Sequence, residues 1–388
     1  MEKIAFVVPR YGLEVNGGAE LYCRQLAERM VKRFKVEILT TCAVDYVTWK
    51  DEYQEGESFL NNVLVKRFKV DYIRNNGKFN KFTPKVFEVG HSIEDELEWM
   101  RLQGPVSSRL INYIKENRNQ YKVLIFIPYL YYTTYFGLQV FPDKSILISA
   151  AHDEPFINLE IFKRFFKLPN AIIYLTDEEK HFVNNKFSNN NIPNIIIGAG
   201  VEIRQDINKD NFREKYGIYG RFMIYIGRID ESKGCKELFD YFIRYKQESN
   251  CDIKLVLLGK AIMSIPVHDN IIHLGFVSDE DKFNGIAASE FLVLPSAYES
   301  LSISVLEGMK VGKPVLVNEK CQVLKGHCIK SNAGLYYDSY EEIKECFNLL
   351  VDDQDLRLIM GYNGTRYVES NYDWNPICDD LEKLIYSI

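Results

Sequence analysis

The chain has 388 residues and no run of about 18 apolar residues, so no transmembrane helix is expected. Its eight cysteines form no Cys-x-x-Cys pair and show no metal-ligand spacing. Neither a zinc module nor a redox dithiol is expected from them. Several lie inside apolar runs and read as small buried hydrophobes of a reducing compartment. Charge of one sign is not in large excess: the net charge of −6 argues against a nucleic-acid binder. The opening Met1-Glu-Lys-Ile-Ala-Phe-Val-Val-Pro9 enters a strand directly and lacks the layout of a signal peptide. There is no Gly-x-Gly-x-x-Gly fingerprint, which disfavours an NAD enzyme, and no Walker loop. No sequence repeat relates the two halves. These absences point to a cytoplasmic globular protein without a cofactor.

A hydrophobic content of 46% is ample for packed cores, and the length exceeds what one core usually serves. Two domains are expected. Short β runs alternate with helical stretches, the pattern of parallel sheets flanked by helices. In the first half, Ile4–Val8, Val36–Thr41, Leu124–Pro128, Ser145–Ala150, Ile172–Leu175 and Asn194–Ile197 read as strands. Ala19–Phe34 reads as a helix with Leu21, Leu26, Met30 and Phe34 on one face, and Ser92–Asn117 as another. A second unit starts near Phe222. Phe222–Ile226, Lys254–Leu258, Ile271–Leu274, Phe291–Leu294 and Pro314–Val317 are its strands, and Tyr340–Val351 and Leu356–Glu369 its closing helices. The polar stretch 202–210 is the expected boundary. A last helix, Trp374–Tyr386, carries Ile377, Leu381, Leu384 and Ile385 at helical spacing.

Four segments carry candidate chemistry. Gly227-Arg228 and Lys233-Gly234 lie in the loop between a strand and a helix, where open α/β sheets bind ligands. Arginine offers a bidentate fork and lysine a mobile point charge, so the two could balance a diphosphate. Glu299 and Glu307 bracket Ser300-Leu301-Ser302 and the start of an apolar helix, Ser304 to Val311. On one helix, eight residues turn about 80° past two revolutions and rise roughly 12 Å, so the carboxylates would diverge. With Glu299 in the loop and Glu307 one turn into the helix, both can face a ligand at the helix start. There the N–H groups attract phosphate and a carboxylate suits sugar or ribose hydroxyls. Gly17-Gly18-Ala-Glu20 opens an early helix and allows close backbone approach, as an ordinary tight turn also would. His152 follows a strand of the first domain and reads either as a sugar-hydroxyl partner or as a structural histidine. Residues 66–88 interleave seven Lys or Arg with aromatics against only two acids. That run reads as a solvated loop or edge hairpin, or as a contact for an anionic membrane surface. Residues 1–200 hold 26 bases and 24 acids, so the remainder carries a net −8.

Taken together, the order Gly17-Gly18-Ala-Glu20, His152, Gly227-Arg228-x4-Lys233-Gly234 and Glu299-x7-Glu307 resembles the retaining glycosyltransferases of GT-B fold, and among them the large family 4. The resemblance spans the whole chain. It implies two Rossmann-like domains facing each other across a deep cleft: an acceptor domain, 1–203, and a donor domain, 204–372, with helix 373–388 crossing back to the first. By the same resemblance, Arg228 and Lys233 hold the donor diphosphate as it leaves, and Glu307 binds the ribose. Glu299, with Ser300, Leu301 and Ser302, contacts the donor sugar. Gly17, Gly18 and Gly227 lie near the diphosphate, and His152 near the reacting carbon.

The donor implied is a UDP-, GDP- or TDP-sugar. The acceptor implied is a glycan, typically a lipid-linked oligosaccharide of bacterial surface polysaccharide, met at the inner face of the cell membrane. No metal is implied, in keeping with the lack of an Asp-x-Asp motif beside the Glu299 segment. Family members commonly carry a Gly-Phe-Gly-like segment where this chain has Ser300-Leu301-Ser302; serine gives up the closest backbone approach but adds hydroxyls and can cap the helix. The alternative is a catalytically silent GT-B subunit that stabilises a partner transferase.

Overall fold

The computed structural model describes every residue except 16 and 205. The chain forms two compact units, Met1–Ala199 with Asn375–Ile388, and Gly200–Trp374.

The first unit is built on eight strands: β1 (Lys3–Val7), β2 (Lys35–Thr41), β3 (Gly56–Leu60), β4 (Val63–Phe68), β5 (Val123–Phe126), β6 (Ser145–Ile148), β7 (Ala171–Tyr174) and β8 (Asn194–Ile196). Their order is β3-β4-β2-β1-β5-β6-β7-β8. Every neighbouring pair is parallel except β3 with β4. The inner strands β1, β5, β6 and β7 are buried along nearly their whole length. They have helices on both faces, which is why they read as continuous apolar runs and not as alternation.

Two expectations for residues 45–120 need correction. The strands β3 and β4 were not anticipated. They form an antiparallel hairpin in which Leu60 pairs with Val63. Asn61 and Asn62 both adopt positive φ, 48° and 67°, the backbone a two-residue hairpin turn demands and Asn tolerates. The single helix over 92–117 is instead two, Ile93–Gln103 and Ser108–Asn117, separated at Gly104-Pro105, since proline cannot donate to a helix. Ser92 and Asp95 close a capping box at the start of the first, and the Ser107 hydroxyl caps the second.

The C-terminal helix, Trp374–Ser387, folds into this first unit from Asn375 onward. Leu381 and Ile385 are fully buried. Arg33 pairs with Asp379 at 2.6 Å and with Glu382 at 2.7 Å, and the rings of Phe34 and Tyr386 lie 5.5 Å apart.

The second unit has six strands: β9 (Phe222–Ile226), β10 (Lys254–Leu258), β11 (Ile271–Gly275), β12 (Leu292–Leu294), β13 (Val315–Asn318) and β14 (Gly334–Tyr337). All pair in parallel, in the order β11-β10-β9-β12-β13-β14. Counted from the first strand this is 3-2-1-4-5-6, the doubly wound order whose direction reverses between the first and fourth strands. The end of the polar stretch 202–210 belongs to this unit: Asn208 caps helix Lys209–Tyr216, accepting from the Asp210 and Asn211 N–H groups. Both chain crossings leave the unit together. The Val201 N–H donates to the Tyr372 carbonyl at 2.9 Å, and the Trp374 ring lies where any side chain on Gly200 would stand.

Gly234 fixes the corner at which helix Cys235–Glu248 begins. Its φ is 75°, and an added Cβ would meet the Pro295 carbonyl oxygen at 2.3 Å. Gly217 has a similar φ of 64° but open space around it. We predict that Gly217→Ala costs only the backbone term, about 1 kcal/mol, whereas Gly234→Ala costs ~2 kcal/mol or more because the loop after β12 must also shift. Thermal denaturation of the two variants checks this; equal melting temperatures would refute the packing argument.

Candidate active site

In a parallel sheet all carboxyl ends of strands face one edge, and a crevice opens where the strand order reverses. In the second unit that point lies between β9 and β12. The loop after β9 carries Gly227, Arg228 and Lys233, and the loop after β12 carries Glu299 to Ser302. The sequence separation of these loops is large, so only the sheet brings them together. Lys233 Nζ lies 2.7 Å from Glu299 Oε1, which joins the two loops directly. Gly259, at the end of β10, completes the corner: a Cβ there would strike the Gly227 carbonyl oxygen at 2.0 Å.

The loop after β9 is organised by Asp230. It accepts from the Ser232 hydroxyl at 2.6 Å and the Lys233 N–H at 2.9 Å, and it pairs with the Arg228 guanidinium. Burial opposes its ionisation, but Ser232, Arg228 and the Lys233 N–H together hold its carboxyl below the usual range. The Tyr225 hydroxyl donates to the Arg228 carbonyl at 2.6 Å. Arg228 is thus aimed by a carboxylate two residues on and a backbone tether.

The loop after β12 is held from below. The buried His327 ring contacts the Leu301 carbonyl through Nε2 at 2.9 Å and the Tyr367 hydroxyl through Nδ1 at 3.1 Å. The Cys321 thiol donates to the Glu299 carbonyl at 3.7 Å. Ser302 stands at the N-cap position of helix Ile303–Lys310 with a left-handed φ of 65°. It makes no side-chain cap bond, contrary to the expectation that it caps the helix. Its hydroxyl lies 3.4 Å from that of Ser304 instead. The Leu306 N–H takes the Ser302 carbonyl, so the N–H groups of residues 303 to 305 are the orphan donors of this helix start.

Glu307 lies in that helix and Glu299 in the loop before it, so each meets its own lysine. Glu307 is 8% exposed, and its Oε1 lies 2.6 Å from Lys282 Nζ. Burial pushes the Glu307 carboxyl up, and Lys282 only partly offsets it. Burial opposes charge on Lys282 too, yet Glu307 and then Asp279 hold its ammonium above the usual range. Lys282 had no signal in the sequence, because it sits on another helix, Asp279–Ala288.

That helix also corrects the reading that no Asp-x-Asp run stands beside the site. Asp279-Glu280-Asp281 does. Asp281 accepts from Lys215 at 2.8 Å and from the Ser278 hydroxyl at 2.8 Å, Ser278 caps the helix by accepting from the Asp281 N–H, and Asp279 pairs with Lys282 at 3.1 Å. Among the described residues no group of His, Cys, Asp and Glu has the arrangement of a metal site. Two open hollows, one along Asp379, Glu382 and Lys383, the other along Asn211, Lys215 and Glu280, include none of the candidate residues. The site rests on strand ends.

In the first unit, Gly17 precedes helix Gly18–Met30. Its φ of 165° is extended backbone open to any residue; crowding is what demands glycine. A Cβ there would meet Glu20 Oε2 at 2.1 Å. Glu20 is buried and pairs with buried Arg10 at 2.9 Å. Gly18 differs, since a Cβ on it would meet nothing. His152 Nδ1 lies 4.0 Å from Glu154 Oε1, and Glu154 accepts from the Tyr129 hydroxyl at 2.6 Å.

The loop into His152 rests on Glu179, which sequence reasoning missed. Glu179 is 1% exposed. It accepts from the Ser149 hydroxyl at 2.5 Å and the Ala151 N–H at 2.7 Å on one oxygen, and the Leu175 N–H at 2.6 Å on the other. Between Ser149 and Ala151, Ala150 is held at φ 47°, a strained backbone for a non-glycine residue.

Residues 66–88 are largely committed within their own unit. Lys66 pairs with Glu57, Lys78 with Glu98 and Lys85 with Asp95. Arg67 donates to the Tyr11 carbonyl and Arg74 to Gln103. Tyr72, Ile73, Phe87 and Val89 remain exposed.

The family model described as glycosyl transferases group 1 matches residues 208–367. The match lies within the second unit and covers less than half of the chain. An uncharacterized glycosyltransferase of Methanocaldococcus jannaschii is 25% identical over 62% of this chain and 68% of its own length. The N,N'-diacetylbacillosaminyl-diphospho-undecaprenol alpha-1,3-N-acetylgalactosaminyltransferase of Campylobacter jejuni is 23% identical over 59% of this chain and 63% of its own. Anabaena HepE, solved with UDP and glucose, covers all of both chains at a TM-score of 0.72 and 14% identity. That last likeness speaks for the fold, which is GT-B. The matched family and the relatives make this chain a glycosyltransferase.

Burial pushes Glu179 up to about 7 against its three hydrogen bonds. A folded-state value above the ordinary one means the folded protein holds the proton more tightly. That contribution to stability is complete below about pH 4 and is lost as pH rises through 7. Glu179→Gln should remove this slope between about pH 5 and pH 8. It should also cost about 1–3 kcal/mol, because the amide NH2 faces an N–H or hydroxyl donor. Melting curves across that range test both; an unchanged slope in the variant would refute the assignment to Glu179.

Proposed function

We propose that this chain transfers a sugar, with retention of anomeric configuration, from a nucleoside-diphosphate sugar to a hydroxyl of a glycan. The observation that carries the reading is the Lys233–Glu299 contact joining the two loops at the reversal of strand order in the second unit, with Arg228 in one loop and Glu307 in the helix that follows the other. Arg228 and Lys233 take the diphosphate, Glu307 the ribose and Glu299, with Ser300 to Ser302, the donor sugar. The second unit is then the donor domain. The first is the acceptor domain, for which Gly17, Gly18 and His152 are the candidate residues.

In the reaction the bond between the anomeric carbon and the diphosphate oxygen breaks, and a bond from the acceptor oxygen forms. The acceptor's proton goes to the departing phosphate. Negative charge grows on that leaving group, so cations placed there stabilise the transition state more than the ground state. Lys233 is paired with Glu299 and Arg228 with buried Asp230 before any anion arrives, so a diphosphate must compete with both carboxylates. Two protein cations supply the charge that a divalent metal would otherwise bring, which supports metal-independent transfer.

For the acceptor, the Campylobacter jejuni relative's name specifies a diphospho-undecaprenol glycan, and we take a lipid-linked oligosaccharide of a surface polysaccharide as the acceptor class. The exposed Tyr72, Ile73, Phe87 and Val89, next to Lys81, are the residues for a peripheral membrane contact. Among the described residues no helix is long and apolar enough to cross a membrane.

A thermal-shift panel of UDP, GDP, TDP and their sugars, with EDTA present, tests the donor assignment. One nucleotide family should raise the melting temperature with concentration; no shift from any of them would refute it. Arg228→Ala and Lys233→Ala should each lower turnover by roughly 10²–10³-fold in protein that remains folded. Wild-type rates in both would overturn the phosphate role. Ile73→Glu with Val89→Glu should abolish sedimentation with anionic lipid vesicles, and undiminished sedimentation would exclude this patch.

A further inference from the structure

The strongest unassigned feature of the second unit is the lysine on Glu307. A carboxylate that binds a ribose diol needs only acceptor atoms, and a buried one needs a counter-charge. Lys282 supplies the counter-charge, but its geometry allows more. An ammonium has three donors. One goes to Glu307 Oε1 at 2.6 Å and one to Asp279 Oδ1 at 3.1 Å. Asp279 is 81% exposed on its side chain, whereas Lys282 is only 17% exposed, so the Asp279 bond exchanges readily with solvent or ligand. A hydroxyl that donates to Glu307 Oε1 comes close to Lys282 Nζ, which lies 2.6 Å from that same oxygen.

A ribose hydroxyl is both a donor and an acceptor. We propose that Lys282 is a specificity-determining residue of the donor site. It donates to the 2′-hydroxyl oxygen while that hydroxyl donates to Glu307, so the pair selects ribonucleoside-diphosphate sugars over 2′-deoxy ones. The inference rests on the assignment of Glu307 to the ribose and deepens it, since it excludes thymidine-linked donors from the three nucleotide classes. The selection is steep for a physical reason. A 2′-deoxy ligand leaves both a buried carboxylate and a buried ammonium without the partner that replaced their water, and sites built around a hydroxyl strongly reject analogues lacking it. Glu307 alone would lose one hydrogen bond to such a ligand; with Lys282 two are lost.

The test compares UDP with 2′-deoxy-UDP, and GDP with 2′-deoxy-GDP, by titration calorimetry on the full chain. For the base that binds, the wild-type protein should prefer the ribonucleotide by at least about 10-fold. Lys282→Met should bind the ribonucleotide more weakly and cut that preference several-fold, and Lys282→Arg should restore part of it. A preference that stays at the wild-type value in Lys282→Met, whatever the absolute affinity, would overturn the proposal and leave Lys282 as a counter-charge only.

Glu307→Gln separates the two levels. If it leaves the preference intact, the ribose assignment of Glu307 itself fails. If it lowers the preference while Lys282→Met does not, only the role of Lys282 fails. Should Lys282→Met not fold because Glu307 is left uncompensated, the neutral pair Lys282→Met with Glu307→Gln removes the buried charge, and its preference should fall to near unity. A wild-type preference near unity overturns the proposal without any variant.

Discussion

The second unit depends on one strand contact, the parallel pairing of β9 with β12, where Leu292 stands opposite Ile224. Strand order runs outward in both directions from that pair. Crossover helices therefore leave to opposite faces, and the loops after the two strands part around a gap. Arg228, Lys233 and Glu299 are attached to those loops, and Glu307 to the helix that follows one of them. Three close backbone approaches keep the gap's floor in shape. Gly259 lies against the Gly227 carbonyl, Gly234 lies against the Pro295 carbonyl, and the His327 ring contacts the Leu301 carbonyl. A side chain at either glycine would push one loop off its strand end.

The electrostatics follow from the same crowding. Cations on neighbouring elements of this unit would repel one another if left alone. Each is held by a carboxylate: Arg228 by Asp230, Lys233 by Glu299, Lys282 by Glu307. The unliganded unit is thus nearly neutral locally, and binding exchanges partners without exposing bare charge. The first unit uses the same device at its glycine turn, where Arg10 and Glu20 are both buried and paired. Removing one member of such a pair is far more costly than removing both.

The two-unit α/β organisation and most inner strands were legible because buried parallel strands read as short continuous apolar runs. The placement of Arg228, Lys233 and Glu299 in loops a few residues after a strand, and of Glu307 in the helix that follows, was legible because that spacing is short. The β3–β4 hairpin was not, since its turn signal is Asn-Asn and its first strand is mostly exposed. β14 was also missed, a strand of four residues with only its last one buried. Leu21, assigned to the buried face of the first helix, is only half-buried, whereas Glu20 and Tyr22 are buried; the Arg10 pair draws a polar residue inward where periodicity alone would keep it out.

By itself the sequence determined the alternation of strands and helices, the loops that carry cations and carboxylates, and their order along the chain, because these depend on neighbours a few residues apart. Which groups meet was decided only in three dimensions. Lys282 reaches Glu307 from a different helix, Glu179 supports a turn some thirty residues earlier in the chain, and His327 holds the Leu301 carbonyl from beneath. The physical reason is that a buried charge or polar group selects its partner by proximity after packing, and packing distance bears no relation to separation along the chain.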